Sequence, residues 1–306
     1  MKIFVTGGAG FIGTHFCIDA QQRGHQTFVW DRVFGHEVNP GGSHKEALNF
    51  ALESFLPDWV VHLAATPGVA NGHKVAIEDV VCAGRLLEAC DNLAVPPKIL
   101  FMSTGSVYGR QWQFPTIEGA QMRPQEGFYA TGKLAVEGLL SSWSGQRPAT
   151  FQDVPRTAVV LRLGTILGPG NNKGFTRDFV ERLQQDPKQL TTWGDGKQVK
   201  SYLHVDDLVT AMWRVMSVPA GFDVFNVSHD KHASIRDCIP WVCEEMGVAP
   251  EIVYGTNASG GFGDIPVIRL SNAKLRGTGW APTKSIEQAV RDNVRWLLLK
   301  VEKAAA

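Results

Sequence analysis

A doubly wound parallel α/β sheet, followed by a smaller mixed α/β domain, is predicted by three features of the 306-residue sequence. Short β-rich runs alternate with helical patterns through the first half. Those runs are apolar without interruption, which suits strands covered on both faces. After Gly168-Pro169-Gly170 the elements become shorter and their spacing irregular.

Taken in order, strands are predicted at 3–6, 27–30, 59–63, 99–103 and 158–163, with helices at 11–23, 44–55, 75–93 and 129–143. Segment 34–43 reads as a compressed connection, with Val38 the remnant of a very short strand. Beyond 170, helices are expected at 175–185, 206–216 and 286–300, and strands at 189–193 and 222–227. Asp206 is placed to cap the helix that follows it. Ser234 starts a further helix, and Ser285 with Gln288 makes a capping-box pattern for the last one. A first domain over 1–167, rejoined by about 201–230, and a second over 168–306 fit this pattern.

Thirty basic and thirty acidic side chains cancel, and no Lys/Arg run supplies the footprint that nucleic acid requires. A local basic pocket for a small phosphorylated molecule stays open. No apolar run approaches the ~20 residues that cross a bilayer. The sequence opens on strand-like residues 1–5, where a signal peptide is not expected. Five cysteines without CxxC spacing read as buried thiols in a reducing compartment. A cytoplasmic location is therefore expected. Nine histidines show no metal-ligand spacing, so no metal site is expected.

Gly7-Gly8-Ala9-Gly10-Phe11-Ile12-Gly13 follows the first strand and opens the first helix. Gly7 permits a tight turn, Gly10 lets backbone N–H groups approach a pyrophosphate, and Gly13 lets helix pack closely on strand. Asp31 ends the second strand about 20 residues on, where a carboxylate accepts the ribose hydroxyls of a dinucleotide. This is a Rossmann-type arrangement. It favours NAD, while Arg32 keeps the 2′-phosphate of NADP in play.

Tyr129-Ala130-Thr131-Gly132-Lys133 is a YxxxK pair, which on a helix puts ammonium and phenol on one face. A phenol with an unperturbed pKa of ~10 is too weak a base near neutrality. The lysine charge and a nicotinamide charge are both expected to favour phenolate. Ser103-Thr104-Gly105-Ser106 follows a buried strand, at the sheet edge where ligands bind. A hydroxyl there is placed to hold the substrate oxygen whose proton Tyr129 removes.

With these segments, the sequence resembles the extended short-chain dehydrogenase/reductase family, in its NAD-dependent nucleotide-sugar epimerase/dehydratase branch. The resemblance runs through TGGAGFIG at 6–13, His62-Leu63-Ala64-Ala65, STGSVYG at 103–109, YATGK at 129–133 and RLGTILGPG at 162–170. It continues through GDGKQVKSYLHVDD at 194–207 and Gly279-Trp280-Ala281-Pro282. It implies Tyr129 as acid/base, Lys133 as its activator and ribose ligand, and Thr104 as hydroxyl partner. Phe11, Ile12, Asp31, Arg32, Leu63, Ala64 and Ala65 match cofactor-contacting positions, and Glu37-Val38 matches an adenine-side position. Substrate contacts are implied for Ser106, Thr165, Trp193, Lys200 and Arg269, with Lys200 and Arg269 on the diphosphate. A homodimer paired through the helices at 75–93 and 129–143 is implied as well.

Departures from the family pattern narrow the chemistry. Members that dehydrate sugars carry Asp-Glu after the catalytic Thr, and this sequence has Gly105-Ser106. Dehydration of the usual 4,6 type is therefore not expected. Asp79 and Thr165 stand where the family commonly has Asn. The leading expectation is a nucleotide-sugar 4-epimerase using NAD. A 4-ketosugar reductase or sugar dehydrogenase would use the same residues, and a non-catalytic dinucleotide sensor is a third possibility. The segments 34–43, 66–74 and 111–127 carry no legible code for the sugar.

Overall fold

The computed structural model describes residues 1–35, 43–65, 72–124, 127–145, 155–218, 221–257 and 265–305. Val38, the Glu37-Val38 pair and most of the 34–43 and 66–74 segments lie outside those residues. In chain order the first part runs β1 (Lys2–Thr6), α1 (Phe11–Gln22), β2 (Gln26–Trp30), α2 (Ser43–Phe55), β3 (Trp59–His62), α3 (His73–Asp91), β4 (Lys98–Thr104), α4 (Phe128–Gly145) and β5 (Ala158–Leu163). Next come β6 (Thr165–Leu167), α5 (Phe175–Gln185), β7 (Gln189–Thr191), β8 (Val199–Lys200), β9 (Tyr202–His204), α6 (Val205–Met216) and β10 (Phe222–Val227). The last part holds β11 (Ala233–Ser234), α7 (Ile235–Met246), β12 (Glu251–Val253), β13 (Val267–Ile268), α8 (Ala273–Gly277) and α9 (Ile286–Ala305).

One six-stranded sheet has the order β10-β5-β4-β3-β1-β2. The pairs β1–β2, β1–β3 and β3–β4 are parallel. This is the predicted Rossmann-type sheet. Its strands are apolar because both faces are covered, and Ile3, Phe4, Val5, Val60, Val61 and Leu100 are fully buried. Phe4, Leu52, Val60, Leu86, Ile99, Phe101, Leu140 and Val160 form the core that joins helices to strands. Burying a side chain of this size contributes about 1.5–3 kcal/mol.

The chain divides into two compact units, one of residues 1–107, 122–162 and 212–225, the other of 108–121, 163–211 and 226–306. The second unit holds the three-stranded sheet β11-β8-β13 and the pairs β12-β7 and β6-β9. Phe179, Val180, Leu183, Tyr202, Cys238, Val242, Val290 and Val294 fill its own core.

Two local expectations are revised. The strand predicted over 189–193 ends at Thr191, and Trp193 is 64% exposed. Asp206 does not cap α6: its own N–H donates to His204 Nδ1 at 3.0 Å, so the imidazole takes that role. By contrast, Ser234 caps α7 in a full capping box with Asp237, and Ser285 Oγ accepts the Gln288 N–H at 3.0 Å. All five cysteines are free thiols, and four of them are buried. Among the described residues no helix is long and apolar enough to cross a membrane.

Candidate active site

The glycine loop is built by close approach. Gly7 has φ of +71°, and a Cβ there would lie 2.7 Å from the Ala64 nitrogen. A Cβ on Gly13 would lie 2.6 Å from Gly8 Cα, so α1 can pack this tightly only without a side chain. Gly10 begins α1 with no side-chain cap and no acidic residue in the first turn. Its first N–H groups are thus left for an anion at the positive end of the helix, which fits a dinucleotide pyrophosphate. Phe11 and Ile12 are half-buried beside them.

Asp31 does more than its motif position suggests. Its Oδ2 accepts the Ala9 N–H at 3.0 Å and its Oδ1 accepts the Val33 N–H at 3.1 Å. The carboxylate therefore braces the glycine loop against the turn after β2, and each oxygen keeps a lone pair for a ribose hydroxyl. Arg32 is exposed beside it. Leu63, Ala64 and Ala65 follow β3 and are half-buried. The Leu63 N–H donates to the Thr6 carbonyl at 3.0 Å and the Ala64 N–H to Thr6 Oγ1 at 3.3 Å. Thr6 Oγ1 in turn shares a 2.7 Å hydrogen bond with His62 Nδ1.

The catalytic candidates stand on two elements, α4 and the carboxyl end of β4. Thr104 is its last residue, and its Oγ1 accepts the Ser106 N–H at 3.2 Å. That bond fixes the hydroxyl while leaving its proton free to donate. Tyr129 and Lys133 lie one turn apart on α4, with Lys133 Nζ 5.9 Å from the Tyr129 ring centroid. Lys133 is 4% exposed. Its Nζ donates to the Met102 carbonyl at 2.9 Å and lies 4.7 Å from the centre of the Phe101 ring.

In the chain alone, burial dominates the electrostatics of the pair. Burial, and then the negative charge of Asp79, push the Tyr129 phenol up to about 12. Burial pulls the Lys133 ammonium down to about 8, against the opposing pull of Asp79 and Glu137. In the protein alone the phenol is therefore the protonated, acid form. His62, 3% exposed, is held to about 3 by burial and then by the Lys133 charge. It is a neutral imidazole stacked on Phe101.

The substrate-side candidates belong to the second unit, except Ser106. Thr165 opens β6 opposite Tyr202. Trp193 carries the Arg182 guanidinium over its ring at 4.9 Å. Lys200 ends β8, opposite Ile268 on β13, and Arg269 follows immediately on the neighbouring strand. Arg269 is half-buried, with its Nε unpartnered and its guanidinium 5.8 Å from the Phe114 ring centre. Asp207 is structural: its carboxylate accepts the Thr283 N–H at 2.9 Å, the Thr283 hydroxyl at 2.7 Å and the Lys284 N–H at 3.0 Å.

A family model described as the NAD dependent epimerase/dehydratase family matches residues 3–228. The chain belongs to this family. An uncharacterized UDP-glucose epimerase of Bacillus subtilis (strain 168) is 31% identical over 85% of this chain and 87% of its own. UDP-glucose 4-epimerase of Thermus thermophilus, solved with NAD, is 27% identical with a TM-score of 0.80 over 97% of this chain and 99% of its own. UDP-glucose 4-epimerase of Thermotoga maritima, solved with UDP-glucose, is 25% identical with a TM-score of 0.83 over 98% of this chain and 100% of its own.

The protein is thus an enzyme family member whose cofactor is NAD, and the glycine loop and Asp31 fit that cofactor. Three residues of the first unit are given no role from sequence: His62, Glu137 and Arg162. His62 and Arg162 stand out in sequence only as the first residues of matching strings. Glu137 lies one turn beyond Lys133, a spacing that could have flagged it.

Proposed function

We propose that the chain is a nucleotide-sugar 4-epimerase. What supports this reading is Thr104 at the end of β4 and the Tyr129–Lys133 pair on α4, anchored to that strand by the Lys133–Met102 hydrogen bond, with Gly105 and Ser106 where an eliminating enzyme needs two acids. Tyr129 takes the proton of the sugar C4 hydroxyl and later returns it. Thr104 Oγ1, oriented by the Ser106 N–H, holds the same oxygen. NAD supplies a reversible hydride acceptor, so that oxidation and reduction at C4 cancel.

Gly7, Gly10, Phe11, Ile12 and Gly13 hold the pyrophosphate side. Asp31 holds the adenine ribose, with Arg32 beside it, and Leu63, Ala64 and Ala65 line the nicotinamide half. Lys133 holds the other ribose and lends its positive charge to the phenol. That charge matters because Tyr129 starts from about 12. Bringing it near neutrality requires roughly 1.4 kcal/mol of differential stabilisation per pH unit. Ser106, Thr165 and Trp193 are assigned to the sugar and base, and Lys200 and Arg269 to the diphosphate. A homodimer through α3 and α4 is supported by the exposed Ile77, Phe128 and Leu139 on those helices.

The test is incubation with NAD and a panel of UDP-, dTDP- and GDP-sugars, followed by anomeric proton NMR and NADH absorbance. Conversion of one sugar to its C4 epimer without lasting NADH is expected. Steady NADH formation would instead mean a dehydrogenase, and turnover only with 4-keto sugars and reduced cofactor a reductase.

A further inference from the structure

Beneath the Tyr129–Lys133 pair lies a buried ion pair with no role in the proposed chemistry. Glu137 and Arg162 are each 4% exposed. Arg162 Nη2 donates to Glu137 Oε2 at 2.7 Å, and its Nε lies 3.1 and 3.2 Å from the two carboxylate oxygens. Ser103 Oγ donates to Glu137 Oε1. Burying two charges this completely is a poor route to stability, since a well-packed apolar pair often does as well. Its placement is more informative than its energy.

Three successive residues at the end of β4 are engaged in turn. The Met102 carbonyl accepts from Lys133 Nζ at 2.9 Å. The Ser103 hydroxyl donates to Glu137. Thr104 presents the hydroxyl proposed to meet the substrate. Lys133 and Glu137 are four residues apart on α4 and so lie on one face, with Tyr129 four residues before Lys133. Arg162 comes from β5, the strand next to β4. Glu137 thus ties α4 to two adjacent strands, one turn behind the ammonium.

We propose that Glu137, clamped by Arg162 and bonded to Ser103, is the positioning residue of the site: it sets α4 against the end of β4 and places a negative charge one helical turn from Lys133. The inference rests on Tyr129 and Lys133 being the acid/base pair. The charged groups that bear on Lys133 are Asp79 from α3 and Glu137 from α4, with Arg162 from β5 acting through Glu137, while Tyr129 from α4 and His62 from β3 face it in their neutral forms. Of these, Asp79 and Glu137 favour its charged form. Packing alone would need no charge at position 137; this role does.

The experiment reads Lys133 directly, without substrate or cofactor. Protein labelled with ¹³C-lysine is titrated by NMR, the Lys133 Cε signal being the one lost in Lys133→Met. Wild type, Glu137→Gln and the double variant Glu137→Gln/Arg162→Met are compared, with thermal unfolding as the fold control. The wild-type midpoint is expected at about 8. Glu137→Gln removes a negative charge beside Lys133 while keeping the Arg162 cation, and should lower it by roughly one pH unit or more, the effect of one nearby charge. The double variant should fall between the two. If Glu137→Gln does not fold, the double variant decides alone, and a midpoint below wild type supports the role. Midpoints coinciding with wild type in folded variants would overturn it. Because no sugar is turned over, that failure is separate from failure of the epimerase reading, which the sugar panel tests.

Discussion

His62 is the most quantitative handle on the site. It is 3% exposed, shares a hydrogen bond with Thr6 and sits under the influence of the Lys133 charge. In the folded chain it titrates at about 3, against an ordinary value of 6.5. Between those two values the unfolded chain binds a proton that the folded chain refuses. Stability therefore falls as pH falls through that window, and the contribution vanishes above it. For this single group the loss relative to neutral pH is roughly 1 kcal/mol at pH 5.5 and roughly 2–3 kcal/mol at pH 4.5.

His62→Gln keeps a polar partner for Thr6 but cannot take up that proton. Denaturant unfolding of both proteins at several pH values isolates the term. His25, His204, His229 and His232 are also lowered, chiefly by burial, but they are common to both proteins and cancel. The variant's stability should decline more gently, so that the two curves converge or cross on acidification by the amounts above. Parallel curves from neutrality to about pH 4.5 would refute the claim that His62 is a buried neutral imidazole.

Two further outcomes follow from the site. Tyr129→Phe should cut turnover by at least about 10²–10⁴-fold, the usual share of a proton-transfer group, while NAD affinity by fluorescence titration stays unchanged. Gly7→Ala forces a Cβ against the Ala64 backbone at a φ of +71°; a loss of about 1–3 kcal/mol, seen in thermal unfolding, and weaker NAD binding are expected.

The sheet was legible because its strands are buried on both faces and so read as unbroken apolar runs. The glycine loop and the YxxxK pair were legible because each sits within one element, where spacing translates directly into geometry. Glu137 and Arg162 were not: they are 25 residues apart in sequence and meet only because β5 lies beside β4. The two-residue strands β8, β11 and β13 are too short to show a period, and their pairing depends on segments far along the chain. The protonated state of the phenol in the chain alone was not legible for a different reason. Spacing puts a positive charge near Tyr129, but neither the cost of burial nor Asp79, reaching across from α3, is visible in a motif.

The edge strand of the large sheet carries a consequence for synthesis. β5 ends at Leu163, but its neighbour β10 begins only at Phe222, where the Gly221 carbonyl accepts the Ala158 N–H at 2.8 Å. While the intervening residues emerge from the ribosome, β5 is an open edge, buried in the finished protein but bare during translation. Such an edge is a template for pairing with another chain. A stall or truncation between those strands should therefore yield aggregation rather than a smaller, half-built nucleotide-binding module.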